Sequence, residues 1–229
     1  MVTKILICEP ISENGVKLLK GAGFEVDAEF DLTPETLRQT IVDYDALIVR
    51  SRTMVTKEVI ETGKKLKAIG RAGAGLDNID AEAAQKRGID VLNAPESLTP
   101  SVAELTIGLM ISVARRITRA DQTMKEGKWL KKEFMGTTLK GKTLGVVGFG
   151  RVGGAVASIA RVMGMNILVT DPRIDQKRVA EVNAKAVSLE ELLRESDFVT
   201  LHVPLTPNTR HMIGEKQLQM MKTGVYLIN

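Results

Sequence analysis

Residues 143–154 read TLGVVGFGRVGG. An apolar β-type run, Thr143–Val147, leads into glycines at 148, 150 and 153, the G-x-G-x-x-G spacing. The residues that follow, RVGGAVASIARVMG (151–164), carry apolar side chains at helical period. A strand, a glycine turn and a helix in that order form a dinucleotide-binding fingerprint. Gly148 permits the tight turn, Gly150 lets the backbone approach a pyrophosphate, and Gly153 lets the helix pack close to the strand. The helix N-terminus presents N–H groups and a partial positive charge to phosphate. Asp171 closes the next apolar run, NILVTD (166–171), at the distance the fingerprint requires. Its carboxylate accepts from ribose hydroxyls and repels a 2′-phosphate, so the expected cofactor is NAD. Arg173 nearby is the residue type that accommodates a 2′-phosphate.

The pattern extends in both directions. Upstream, KILIC (4–8), ALIVR (46–50), KAIGR (67–71) and DVLNA (90–94) read as strands. Between them lie helix patterns near ENGVKLLKGAG (13–23), in TPETLRQTIVDY (33–44) with Thr33 as N-cap and Pro34 at the first helical position, in TKEVIETGKKL (56–66) and in DAEAAQKRG (80–88). Continuous rather than alternating apolar strands imply a parallel sheet covered on both faces. Next comes PSVAELTIGLMISVARRITRADQTMKEGKW (100–129), read as one long helix with a capping box at Ser101 and Glu104. Its first half is small or apolar almost all round. That suits a helix between domains or subunits, and equally a core helix of one domain. Beyond TTLKGK (137–142) the series resumes, with strands TLGVVG, NILVTD, DFVTLHV and GVYLIN, and a helix LEELLRES boxed by Ser188 and Glu191. The expected fold is α/β, with two Rossmann-like or flavodoxin-like parallel-sheet domains, 1–97 and 98–229, separated by a cleft and the second incomplete.

Composition narrows the function. The 32 basic and 28 acidic residues are interleaved, and aromatics make up 3% of the chain. Neither a basic stripe nor a stacking surface is present, so no nucleic-acid partner is expected. A net charge of +4 suits a small anionic substrate. The single cysteine, Cys8, allows no internal disulfide and reads as a buried small hydrophobe in a reducing compartment. No signal-peptide h-region opens the sequence and no apolar run reaches spanning length. A cytoplasmic protein with no membrane partner and no metal is expected.

Three further stretches bear polar chemistry. GRAGAGLDNID (70–80) follows a strand but lacks the third fingerprint glycine; its backbone N–H groups suit a carboxylate. Arg50 and Arg52 stand at the C-terminal end of a strand, the edge where open α/β sheets bind ligands, and read equally as a solvated pair. His202 ends the strand VTLHV; with no carboxylate placed to orient it, it reads as lining the cofactor cleft rather than as a catalytic base. His211 reads as a cap or surface residue.

Together VRSRT (49–53), GRAGAGLDNID, SVAELTIGLM (101–110), GKWLKKEFMGTTLKGKTLGVVGFGRVG (127–153) and LHVPLTPNTRHMI (201–213) resemble the D-isomer-specific 2-hydroxyacid dehydrogenase family along the whole chain. The resemblance implies NAD-dependent oxidation of a small anionic 2-hydroxy acid. It implies that Arg50 and Ser51 meet the substrate's anionic end, and that Ala74 and Gly75 approach its carboxylate and the nicotinamide. Arg151 and Val152 would touch the pyrophosphate, Asp171 the adenosine ribose, and Val203 and Pro204 the cofactor. The helix from Ser101 resembles the family's dimer-forming region, so a homodimer or homotetramer is expected. FMGTTLKGKTLG (134–145) points to the branch with a phosphorylated substrate, toward which Arg50, Arg52, Lys131 and Lys132 also lean. Leu98-Thr99 departs from the family's usual Asn-Ser. The family's substrate-holding arginine, its acid/base glutamate and histidine, and a helix returning to the first domain would all lie beyond Asn229. On this resemblance the chain holds no catalytic residue, is a fragment, and is inert and poorly stable alone. The alternatives are a reductase of unphosphorylated 2-ketoacids and a catalytically silent NAD-sensing module.

Overall fold

β1 (Lys4–Ile7), β3 (Ala46–Val49) and β4 (Ala68–Arg71) are short, apolar and rich in branched side chains, and they form the centre of a parallel sheet. The structure is a computed structural model and describes residues 2–229. Its chain divides into two units, one ending at Leu98 and the other beginning at Thr99.

In the first unit the chain runs β1, α1 (Glu13–Gly21), β2 (Glu25–Ala28), α2 (Pro34–Thr40), β3, α3 (Lys57–Thr62), β4, α4 (Ala81–Lys86) and β5 (Asp90–Asn93). The five strands are parallel in the order β2-β1-β3-β4-β5, the flavodoxin-like arrangement. One sheet face is a continuous core: Leu6, Leu47, Val49 and Ile69 meet Leu37 and Ile41 below α2, and Val59 and Ile60 of α3. Burial of each such side chain contributes about 1.5–3 kcal/mol. Cys8 is buried in the same core, and that burial pushes its thiol up to about 12. Thr33 caps α2 by accepting from the Thr36 N–H, with Pro34 in the first turn.

The second unit opens with α5 (Thr99–Arg115) and α6 (Ile117–Lys125). It continues with β6 (Thr143–Val147), α7 (Arg151–Val162), β7 (Asn166–Thr170), α8 (Gln176–Glu181), β8 (Lys185–Ala186), α9 (Leu189–Glu195), β9 (Phe198–Leu201), α10 (Glu215–Met220) and β10 (Tyr226–Ile228). All pairings are parallel and the order is β10-β9-β6-β7-β8. Counted from β6, this is 3-2-1-4-5 read from the other edge, the first five positions of the doubly wound dinucleotide-binding sheet. Ala103, Met110, Val156 and Ala160 cover one face, and Leu192 and Leu193 the other. Phe198 is fully buried and stacks on Tyr226, with ring centroids 4.7 Å apart.

Two readings of the sequence are corrected here. The long helix begins at Thr99 rather than Ser101, because Pro100 is compatible with a helix only in its first turn; Ser101 therefore lies inside the helix and does not cap it. The helix also does not run on to Trp129. It breaks at Arg116, which adopts a left-handed conformation at φ 54°. There the Thr137 N–H donates to the carbonyl of Ala114 at 2.8 Å. β2 and β8 add an edge strand to each sheet. Among the described residues no helix is long and apolar enough to cross a membrane.

Candidate dinucleotide and substrate sites

In the second unit, strand order reverses direction between β6 and β9, and the turn after each meets at the sheet's carboxyl edge. Gly148 ends β6 at φ 91°, where a side chain is strained. A Cβ on it would lie 2.6 Å from the carbonyl oxygen of His202 and 2.9 Å from Val203 Cγ1. The fingerprint turn is thus packed against the segment that follows β9. Gly153, in the first turn of α7, would place a Cβ 2.0 Å from the carbonyl oxygen of Gly148. Gly150 differs: a Cβ there would meet no atom within 4 Å. Its missing side chain serves no protein contact and instead keeps open the space at the positive end of α7.

Asp171 is tied into the same turn. Its Oδ2 accepts from the Phe149 N–H at 2.8 Å and its Oδ1 from the Arg173 N–H at 2.8 Å. Each oxygen retains acceptor capacity beyond these bonds, so the carboxylate is both oriented and available to hydroxyl donors. Arg173 meets it through its backbone. Arg151 and Val152 occupy the first turn of α7. Arg178 on α8, which the fingerprint gives no reason to notice, donates from Nη2 to the Gly150 carbonyl at 3.1 Å, with its guanidinium 5.6 Å from the Phe149 ring centroid. His202 shares a 2.9 Å hydrogen bond between its Nε2 and Thr200 Oγ1. Burial pushes its pKa below the ordinary histidine value, so the ring is neutral at pH 7. Val203 and then Pro204 follow, the Pro204 carbonyl accepting from Thr209 Oγ1. His211 sits in a turn at φ 57°, ahead of α10 rather than at its start.

In the first unit the polar residues gather at the carboxyl ends of β1, β3 and β4. A cavity of about 840 Å³ is lined by Pro10, Ser12, Arg50, Arg71 and Asn93, among others. Arg50 and Arg71 both line it, and Arg71 Nε donates to the Arg50 carbonyl at 3.2 Å. Arg50 Nη1 donates to the Pro10 carbonyl at 3.3 Å. Arg71 escaped the sequence reading because it closes an apolar strand; its position at a strand's carboxyl end was the available signal. Arg52 faces elsewhere, 3.6 Å from Glu9 Oε2 and 3.5 Å from Asp31 Oδ1. Ser51 is exposed beside Arg50. Ala74 and Gly75 form the turn after β4, fixed where Asn93 Nδ2 donates to the Ala74 carbonyl at 2.6 Å and the Ala94 N–H to the Gly73 carbonyl at 2.9 Å. They do not line the cavity that Arg50 enters. Among the described residues no group of three or more His, Cys, Asp or Glu could hold a metal ion.

The second unit thus has the sheet order, turn and acidic residue of a dinucleotide-binding protein. Comparison with known proteins narrows this. Residues 107–229 match the D-isomer specific 2-hydroxyacid dehydrogenase, NAD binding domain, family. The D-3-phosphoglycerate dehydrogenase of Methanocaldococcus jannaschii is 48% identical over 229 residues, all of this chain and 44% of that protein. The hydroxypyruvate reductase of Thermotoga maritima is 45% identical over 227 residues, 99% of this chain and 73% of that protein. Among solved structures, the NAD+-bound 3-phosphoglycerate dehydrogenase of Entamoeba histolytica superposes with a TM-score of 0.82 at 37% identity, covering 99% of this chain and 71% of that one. The chain belongs to the D-isomer specific 2-hydroxyacid dehydrogenase family, and its cofactor is NAD. It spans less than half the length of the D-3-phosphoglycerate dehydrogenases it matches.

Asp171→Ala should weaken NADH binding about 10–100-fold, the effect of losing one charge-assisted hydrogen bond, while NADPH binding falls far less. Fluorescence titration with both dinucleotides checks this. Unchanged NADH affinity would remove Asp171 from the site.

Proposed function

We propose that the protein carrying this chain oxidises 3-phospho-D-glycerate to 3-phosphohydroxypyruvate with NAD, the opening step of serine biosynthesis. The observation that carries the reading is the pair of arginines, Arg50 and Arg71, that line one cavity at the sheet's carboxyl edge. Guanidinium forks match carboxylate and phosphate oxygens, and a substrate with both groups suits two of them. NAD, when bound, supplies a two-electron acceptor for the substrate's C2–H. The chain's own residues bind and orient. Gly148, Gly150 and Gly153 shape the phosphate cradle with Arg151 and Val152, and Asp171 takes the ribose. His202, Val203 and Pro204 close the far side. The His202 Nε2 is engaged by Thr200 Oγ1, and we assign the acid–base step to no residue of this chain. The partner we propose is a second copy, met through the apolar face that α5 exposes at Leu105, Leu109 and Val113.

A reductase of hydroxypyruvate or glyoxylate is the second reading. It is favoured by the ion pairs that occupy Arg52 and by similarity to the Thermotoga maritima enzyme and to the glyoxylate reductase of Thermococcus litoralis, 43% identical over 239 residues. Steady-state kcat/KM with NADH, measured on the complete gene product, separates the two. We expect 3-phosphohydroxypyruvate to be preferred over hydroxypyruvate and glyoxylate by about 100-fold, the worth of a charge pair in a formed site. A preference for either unphosphorylated acid would overturn the reading. NADH binding without turnover of any 2-ketoacid would favour a sensing module.

A further inference from the structure

The segment Arg50–Thr53 follows β3 as a turn, and a turn must place its backbone polar groups somewhere. Here they converge on two buried side chains. The N–H groups of Arg50, Arg52 and Thr53 all donate to Glu9 Oε1, at 2.8, 3.2 and 3.1 Å. From the other side, the amide of Asn78 donates to the Arg50 carbonyl at 2.9 Å and to the Thr53 carbonyl at 2.7 Å. Arg50 is therefore pinned at both its N–H and its C=O. Of the segment's four N–H groups, only that of Ser51 has no partner among the described residues. Glu9 and Asn78 are 4% and 3% exposed, and neither lines the cavity that Arg50 enters.

A carboxylate is an odd choice for this spot. Its charge opposes an anion held nearby, and burying it is costly. Burial alone would push its carboxyl up, but the N–H groups of Thr53, Arg50 and Arg52, with the Thr53 hydroxyl, hold it down to about 2. It stays charged at any working pH. A role as counter-ion to Arg52 does not account for it, since that contact is 3.6 Å long and its arginine is two-thirds exposed. What the charge accomplishes is geometric, because only an anion draws three amides of one short turn to one point.

We propose that Glu9 and Asn78 are positioning residues that fix the 50–53 turn so that the Arg50 guanidinium enters the substrate cavity and the Ser51 N–H stays free to donate. The proposal rests on the cavity being the substrate site, and it deepens that reading by naming what builds it. Neither residue touches substrate.

The test uses the complete gene product with Glu9→Gln and Asn78→Ser. Glu9→Gln preserves local volume, whereas Asn78→Ser also shortens the side chain. Glu9→Gln sets an amide NH₂ against the Arg52 N–H, and Asn78→Ser leaves one carbonyl without a donor. For whichever 2-ketoacid the wild type reduces best, KM should rise about tenfold in each variant, with kcat within about twofold and KM for NADH unchanged, because a misplaced binding group costs ground-state and transition-state binding alike. The identity of that acid reports on the proposed function, whereas the ratio of variant to wild type reports on the turn. Independently of any substrate, amide hydrogen exchange should show Arg50, Arg52 and Thr53 losing protection in Glu9→Gln while β1 and β3 keep theirs. Unchanged ketoacid KM, or equal damage to ketoacid KM, NADH KM and melting temperature, would overturn the proposal in favour of a structural role. If Glu9→Gln does not accumulate as folded protein, Glu9→Asp, which keeps the charge on a shorter stem, is read by the same criteria.

Discussion

Replacing Gly153 with alanine will abolish useful dinucleotide binding, with affinity for NADH falling by at least about 100-fold, the usual cost of a displaced site. The cause is backbone against backbone. The new Cβ would sit 2.0 Å from the carbonyl oxygen of Gly148 and 3.0 Å from Val146 Cγ1. Neither the turn nor the strand moves freely, so α7 must lift away from β6 and take the phosphate cradle with it. The second unit should also lose about 1–3 kcal/mol, the range for overpacking. Gly150→Ala is the matched control. Its Cβ meets no protein atom within 4 Å, so the fold should stay within about 0.5 kcal/mol of wild type, while the methyl group occupies the phosphate's space and weakens NADH. Calorimetric titration and urea unfolding of the three proteins decide the matter. NADH binding by Gly153→Ala within a few-fold of wild type would mean that the close packing of helix on turn is not what forms the cradle.

Phe198→Ala should cost about 3–5 kcal/mol, as for other fully buried aromatics. The side chain is completely buried, stacked on Tyr226 at an interplanar angle of 21°, and carried by β9 between β10 and β6. Its removal opens a cavity among well-packed neighbours and unseats the ring that holds β10 to the core. Loss of β10 would expose the Ile228 side, including Ala103 and Met110 of α5, which share its core. Denaturant unfolding followed by circular dichroism should show a lowered midpoint at an unchanged slope. A loss below about 1.5 kcal/mol, the range of a well-tolerated core swap, would mean the site collapses around the gap.

Legibility followed the physics of each element. The fingerprint turn could be read because three glycines answer to three separate close approaches, and spacing alone encodes them. The central strands could be read because burial on both faces demands continuous apolar residues. β2, EVDA, and β8, only Lys185–Ala186, could not: each is an edge strand, half solvated, and its residues carry no apolar run. The break at Arg116 is invisible locally, since ARRIT offers neither glycine nor proline. It follows from Thr137 returning to bond Ala114, a contact between residues far apart in sequence. The substrate side was half legible. Arg50 stood out by charge at a strand end. Glu9, an acid just past an apolar strand, reads from sequence as solvated, and Asn78 reads as part of a turn. Both become meaningful only when the topology brings the ends of β1 and β3 together over them.

The burial of Cys8 has a practical consequence. It is the chain's one cysteine, its side chain lies in the first unit's core, and its proton is held far above neutral pH. The thiolate is the form that attacks thiol reagents, so the folded chain offers them nothing at pH 8. Modification of that sulfur then proceeds only through openings of the first unit, and its rate counts them. The chain carries an internal clock for one of its two units, readable without a mutation or a substrate.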